Sequence, residues 1–360
     1  MMKVENVAFG EIDSIKRMEE KVYSSKPYVY WGAENTFPDL LLETLNLSAT
    51  HAACIQSRID YCSGSILPEN DFKVNKTQTI SQILPLIYQD INILGNAAVE
   101  VIWKKDRTQG IAGLYHIPAQ KLRMGKRESY DDESLYYYYS PDWNRNRQSG
   151  LIKYTNLDPL NYESRQILWI HNGQPGTEYY SPPYYMSVLN NIRLDHQIGL
   201  FHLSNISRNG LAGLWVNFPT GTEISQEEQN AILNKIESRF VGAENGGRIM
   251  VSFSQGNEEK PEITQLSTST HDGYYTEMYE LNQRTILAGN KVSSGLLVGL
   301  PGAAGFSANA DELAVASNHF LKTTIQPIQH TVISQLQPVV DLLNPQGDMT
   351  IKVQDKVMNY

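Results

Sequence analysis

The segment SPPYYMSVLNNIRLDHQIGLFHLSNISRNG, residues 181–210, constrains the fold more than any other stretch. After a Pro-rich turn it places Leu189, Ile192, His196, Gly199, Leu203 and Ile206 at alternating steps of three and four, the rhythm of one long helix with a seam. Asn190, Arg193, Gln197, Ser204 and Arg208 mark its opposite face. His196 sits on the seam with no Cys, Asp or Glu beside it, so it reads as a packed histidine and not a ligand.

A second long helix is predicted at about residues 272–291. Tyr274, Met278, Leu281 and Ala288 hold one face, and Glu277, Glu280, Arg284 and Lys291 another. Between the two helices, residues 209–265 read as a compact α/β module. It consists of a strand at GLWVNF, a Pro-Thr-Gly turn, a helix opened by Ser225 with Glu228 at the capping-box position, and a strand at RIMVSF.

Upstream, WGAENTFPDLL places Trp31, Phe37 and Leu40 around a Pro turn, as an arm that docks on something apolar. SATHAACIQSRIDYCSG predicts a helix capped by Ser48 and stopped by Gly64. TISQILPLIYQDINILG predicts another, closed by Gly95, with Pro85 early in it. AAVEVIWKK, IAGLYHI, the Tyr136 to Tyr139 run and QILWIHN combine β-branched and aromatic residues with turn punctuation, so strands follow. Near the end, Leu321, Ile325, Ile328, Val332, Leu336 and Val339 keep a heptad-like seam on a helical region that Pro327 and Pro338 should kink or divide.

Composition narrows the function. A net charge of −9 argues against a surface that grips DNA or anionic membrane through counterion release. No apolar run reaches about 18 residues and no signal-peptide core follows Met1, so the expectation is a chain neither membrane-spanning nor conventionally secreted. The two cysteines, Cys54 and Cys62, fall on one predicted helix about 12 Å apart by helical rise, too far to bridge. With His51 they cannot close around a zinc ion either, and all three read as core.

The glycine-rich stretch LLVGLPGAAGFSANADEL, residues 296–313, invites two enzymatic readings, and both fail. A Walker phosphate loop needs G-x-x-x-x-G-K-[ST], but no Lys or Arg occurs between Lys291 and Lys322. A hydrolase elbow needs G-x-S-x-G with a distant His. Around Ser307 the final Gly is Asn309, and His319 and His330 lie on the helix that the Ser would begin. What remains is a supple, uncharged loop with an apolar Leu300-Pro301 pair and Phe306, followed by a helix with a box-like cap from Asn309 and Glu312.

The order of elements is specific: α+β lobe, long helix, small α/β module, long helix, flexible loop, kinked helix. It resembles the portal protein family of tailed bacteriophages, of the long-tailed type. Leu94-Gly95-Asn96-Ala97-Ala98-Val99-Glu100 resembles the family's entry into a wing strand, and Leu114-Tyr115-His116-Ile117-Pro118 its next strand and turn. Ile170-His171 followed by Ser181-Pro182 is similar to the approach to the first stem helix, and Arg208-Asn209-Gly210 to its end. Ile224 through Gln229 resembles the clip helix start, Gly242 through Arg248 the turn before the last clip strand, and Thr324-Ile325-Gln326-Pro327 the Leu-x-Pro break after the tunnel loop. One departure stands out: where relatives tend to have Phe-x-Val-Pro after the second stem helix, this chain reads Asn290-Lys291-Val292-Ser293.

The resemblance implies an α+β portal fold: N-terminal arm 1–47, wing 48–183, stem helix 184–208, clip 209–269, second stem helix 270–291, tunnel loop 292–309, kinked helix 310–345 and tail 346–360. Little material is left for a helical crown. It also implies a ring, usually of twelve copies, at one capsid vertex of the virion, assembled in the host cytoplasm, through which DNA is packaged and ejected. Its partners would be further copies of itself, duplex DNA passing through the channel without sequence specificity, terminase, a head-tail adaptor and the major capsid protein, with no membrane, cofactor, metal or catalytic residue.

Ser293, Ser294, Leu300, Pro301, Phe306, Ser307 and Asn309 would line the channel as the tunnel loop, and Trp215, Asn217, Glu227, Glu228 and Arg239 would serve clip contacts or terminase. Glu277, Glu280, Arg284 and Lys291 stay open to three readings: a solvated stripe, pairing with a neighbour's stem, or a face toward DNA. Twenty-one Tyr fit subunit contact and wing core equally. The rivals to this reading are another ring-forming phage component, such as an adaptor, which would be much shorter, and the hydrolase rejected above.

Overall fold

The computed structural model describes residues 18–127, 135–143, 150–161, 163–174, 177–207, 214–219, 231, 249–254, 262–265, 272–300, 310–347 and 349–356. The chain divides into a larger unit, Met1–Arg193 with Arg284–Tyr360, and a smaller one, Leu194–Gln283.

In the larger unit a short antiparallel hairpin, β1 (Glu20–Val22) and β2 (Val29–Trp31), leads into helix α1 (Phe37–Leu47). The turn expected at Pro38 is instead the start of this helix. Pro38 sits in the first turn of α1, where its missing N–H costs nothing, so it opens a helix. Trp31 and Phe37 are buried in the unit's own core, with Trp31 stacked on Tyr180 at 4.4 Å.

Helix α2 (Ala49–Ser63) starts as expected, with the Ser48 hydroxyl accepting from the His51 amide at 3.1 Å. Helix α3 (Ile80–Leu94) has a full capping box from Thr79 and Gln82, continues through Pro85, and ends on Gly95 at φ 77°. That glycine is required twice over, because a Cβ there would also lie 2.6 Å from the Ser181 carbonyl oxygen.

The strands β3 (Asn96–Trp103), β4 (Ile111–Ile117), β5 (Leu122–Met124), β6 (Tyr136–Tyr139), β7 (Ile152–Asn156) and β8 (Arg165–His171) form one sheet in the order β4-β3-β8-β7-β6-β5. All pairs are antiparallel except β7 with β8. Central β3 is covered on both faces. Ala97, Val99, Val101 and Trp103 join a core with α2 and α3, and Ala98 joins a second core with α1 and Trp31. Strands β5 and β7 were not expected from the sequence; β5 is three residues long and β7 is exposed over its first two, so neither carries a clear alternation.

The smaller unit holds a three-stranded sheet, β10-β9-β11, of β9 (Leu214–Pro219), β10 (Ile249–Ser254) and β11 (Glu262–Gln265). β9 and β10 run parallel, as two strands joined by a crossover must. The helix expected between them lies, apart from residue 231, outside the described residues. The strand β11 was not anticipated; it pairs antiparallel with β9.

The first long helix, α4, spans Leu189–Ser207, and the second, α5, spans Asp272–Gly289. Both deviate from their expected apolar faces. On α4 the stripe is buried at Leu189 and Ile192 but exposed at Gly199 and Leu203, while His196 is half-buried. Among the described side chains of α5 the buried ones are Asn282, Ile286 and, just past its end, Asn290, whereas Leu281 is 63% exposed and Ala288 is exposed. Gly289 explains that rotation: a Cβ there would sit 2.2 Å from Cγ1 of Val188, so the helix backbone lies against Val188 and turns Ile286 and Asn290 inward.

The C-terminal region is divided where Pro327 predicted. Helix α6 (Ala310–Phe320) passes through a π-helical turn, Leu321–Ile325, into α7 (Gln326–Val340). All six expected seam residues, from Leu321 to Val339, are buried in the core shared with α2 and α3. The segment expected as a tail also docks: Ile351 is buried and Gln354 bridges to Ser65.

Candidate functional site

The glycine-rich loop and helix α5, which leads into it, carry most of the expected site residues. Two residues past the end of helix α5, Lys291 takes φ 55°. The Lys291 amide donates to the Ala288 carbonyl at 2.9 Å and the Val292 amide to the Leu287 carbonyl at 3.0 Å, the paired bonds of a Schellman cap with lysine where glycine is usual. Glu277, Glu280 and Arg284 therefore lie exposed on one face of α5, while Lys291 lies beyond the helix and is not part of that face. Its ammonium sits 5.7 Å from the Tyr184 ring centroid.

The first half of the expected loop, residues 292–300, is folded. Val292 and Leu296 are buried, Gly295–Val298 makes a 3-10 turn capped by Ser294, and the Leu300 amide returns to the Gly295 carbonyl at 2.9 Å. Ser293 donates to the Ala316 carbonyl at 2.8 Å, and Thr324 donates to the Lys291 carbonyl at 3.1 Å. These bonds tie the entry of the loop to α6 and to the π-helical turn, so Ser293 and Ser294 fasten the loop's base. Pro301, Phe306, Ser307 and Asn309 lie outside the described residues, as do Glu227, Glu228 and Arg239. Trp215 and Asn217 lie on central β9, opposite Met250 and Ser252 of β10.

Helix α2 supplies residues that the sequence reading did not assign to this region. Ser57 donates to the Leu297 carbonyl at 3.3 Å, and the Tyr61 and Ser317 hydroxyls are 2.9 Å apart. Arg58 is fully buried, reaches the Asn290 carbonyl at 3.4 Å and lies over the Tyr184 ring at 5.0 Å. Asn290 donates to the Ile286 carbonyl at 2.9 Å and faces Nδ1 of His51 at 3.2 Å. Burial first, and then the Arg58 charge, pull the His51 pKa down to about 3, so the ring is neutral and its Nδ1 accepts from Asn290. Burial pushes the Cys54 and Cys62 thiols up to about 12, consistent with inert core cysteines. A signal for Arg58 existed: it follows His51 by seven residues, on the face already read as core.

Among the described residues, no group of three His, Cys, Asp or Glu side chains could hold a metal ion, and no helix is long and apolar enough to cross a membrane. The family model described as "Phage portal protein" matches residues 71–352, most of the chain. The chain belongs to the phage portal protein family.

Solved structures align with this chain at low identity. A chain of the "Virion of native gene transfer agent (GTA) particle" aligns with TM-score 0.55 at 15% identity, covering 85% of this chain and 81% of that one. A chain of the "Neck of native GTA particle computed with C12 symmetry" aligns with TM-score 0.54 at 14% identity, covering 84% and 79%. An HK97 family phage portal protein from Corynebacterium diphtheriae aligns with TM-score 0.44 at 12% identity, covering 85% and 90%. No curated protein sequence matches the chain. The α+β fold expected from the sequence is therefore the fold of portal proteins.

Proposed function

We propose that this portal protein works as a ring, of twelve copies, at one vertex of a capsid, and that duplex DNA passes through its centre during packaging and ejection. The single observation that carries the reading is the family match across residues 71–352. The neck particle with C12 symmetry supports the copy number, and the virion and neck particles support a place in the virion as head-tail connector.

In this reading α4 and α5 are the stem, residues 209–269 the clip and the glycine-rich segment the tunnel loop. The work is mechanical and needs no catalytic residue. Fixed cations along a channel would add phosphate contacts that resist sliding, and the loop, residues 292–309, has no Lys or Arg. Leu300, Pro301 and Phe306 would form an apolar lip, while Glu277, Glu280 and Arg284 would face either DNA or a neighbouring stem. Leu200 and Leu203, 45% and 61% exposed on α4, are apolar surface that ring neighbours would cover. The clip, with Trp215 and Asn217 on its central strand, would join copies and meet terminase, then the adaptor, and the rim of the ring would meet the major capsid protein.

Electron microscopy of the purified chain tests the ring. Closed rings with a channel of roughly 20 Å or more, wide enough for a duplex by its groove dimensions, are expected. A stable monomer at micromolar concentration would overturn the proposal. Removing residues 211–263 should abolish rings while leaving the larger unit folded, and normal rings from that variant would remove the clip from the assembly.

A further inference from the structure

Helix α2 holds the two sides of the loop's entry with neighbouring residues. Arg58 grips the Asn290 carbonyl just past the end of α5, and Ser57 grips the Leu297 carbonyl within the Gly295–Val298 turn. Tyr61, one turn further along, meets Ser317 on α6, beyond the loop's exit. We propose that α2 is a latch that couples the end of α5 to the entry of the glycine-rich loop, so that displacement of one releases the other.

Arg58 makes this contact a poised one. Its Nε and Nη2 have no hydrogen-bond partner among the described residues, and the bond from Nη1 is long at 3.4 Å. No described acid forms an ion pair with it; the charge rests on the negative C-terminal end of α5 and the Tyr184 ring. His51 Nε2 and Asn290 Oδ1 are likewise without partners. A buried cation held this incompletely destabilises the closed arrangement and lowers the cost of leaving it. Lys291 at φ 55°, in a region that favours glycine, adds a second unfavourable contribution at the same point.

Opposing this are neutral hydroxyl bonds of ordinary length, from Ser293 to Ala316 and from Thr324 to Lys291, which keep the loop base in register. The geometry thus places a weak, charged contact between two well-made ones. The latch is a property of the single chain and does not depend on the ring.

Hydrogen exchange on the full chain tests it, read on peptides covering 286–293 and 294–300. Ser57→Ala removes only the Leu297 bond. It should speed exchange on both peptides by roughly fivefold, the weight of one hydrogen bond in a local opening. Arg58→Met should instead slow exchange on both peptides, with the thermal midpoint unchanged or raised, because an incompletely paired buried charge that favours opening has been replaced by an apolar side chain of similar length. The latch is overturned if Ser57→Ala affects 294–300 alone or neither peptide. It is equally overturned if Arg58→Met lowers the midpoint and speeds exchange along the whole chain. Should Arg58→Met not fold, the Ser57→Ala result decides.

Discussion

Helices α4 and α7 carry apolar stripes of the same rhythm and opposite fate. On α7 and the π-helical turn before it, Leu321, Ile325, Ile328, Val332, Leu336 and Val339 are all buried within the chain's own core. On α4 the stripe is buried at Leu189 and Ile192 and then surfaces, with Leu203 61% exposed. Periodicity reports that a face is apolar, and a cover is a separate matter. For α7 the cover is α2 and α3; for α4 beyond Arg193 the proposal is that neighbouring copies supply it.

The comparison can be broken most sharply at α4. Leu200→Glu should leave thermal stability of the single chain nearly unchanged and abolish ring assembly, seen by size-exclusion chromatography and microscopy. A large fall in stability without loss of rings would mean that this face is internal. The mirror experiment on α7 is Leu336→Ala, which should cost about 2–5 kcal/mol of stability in denaturant titration, the usual toll of a buried Leu→Ala change. Rings should persist wherever the variant remains folded.

Helix α2, which covers the α7 stripe, sharpens the contrast further. The His51 pKa is depressed when folded, from the ordinary 6.5 to about 3. The unfolded chain therefore takes up a proton that the folded chain refuses, and stability is lost as pH falls from about 6.5 toward 3. The slope from this group approaches about 1.4 kcal/mol per pH unit inside that window. His51→Asn should flatten the urea-derived stability profile there, and an unchanged profile would mean that the ring is solvated when folded. The smallest effect is expected from Ser48→Ala, which removes the α2 cap and should cost about 1 kcal/mol by thermal unfolding, with no change in assembly.

Much of the fold was legible in the sequence because local rules decided it. Ser48, the Thr79 and Gln82 box, Gly64 and Gly95 each set a helix end through bonds or backbone angles within a few residues. Where local rules misled, a distant residue had intervened. The Pro38 turn became the start of α1, whose Phe37 and Leu41 enter a core with Trp31 and Tyr180. Short β5 and β7 exist because their neighbours offer paired edges, which no pattern of three to five residues announces.

The candidate site divides the same way. The sequence by itself determined the order of elements, the uncharged glycine-rich loop and the family, because composition, spacing and order are written along the chain. Tertiary structure alone decided that Lys291 leaves the charged face of α5, that Ser293 and Ser294 fasten the loop, and that Ser57 and Arg58 hold its entry. Ser57 and Leu297 are 240 residues apart. A contact of that reach has no periodicity to betray it, and it follows only once Gly289 lies against Val188 and turns the end of α5 toward α2.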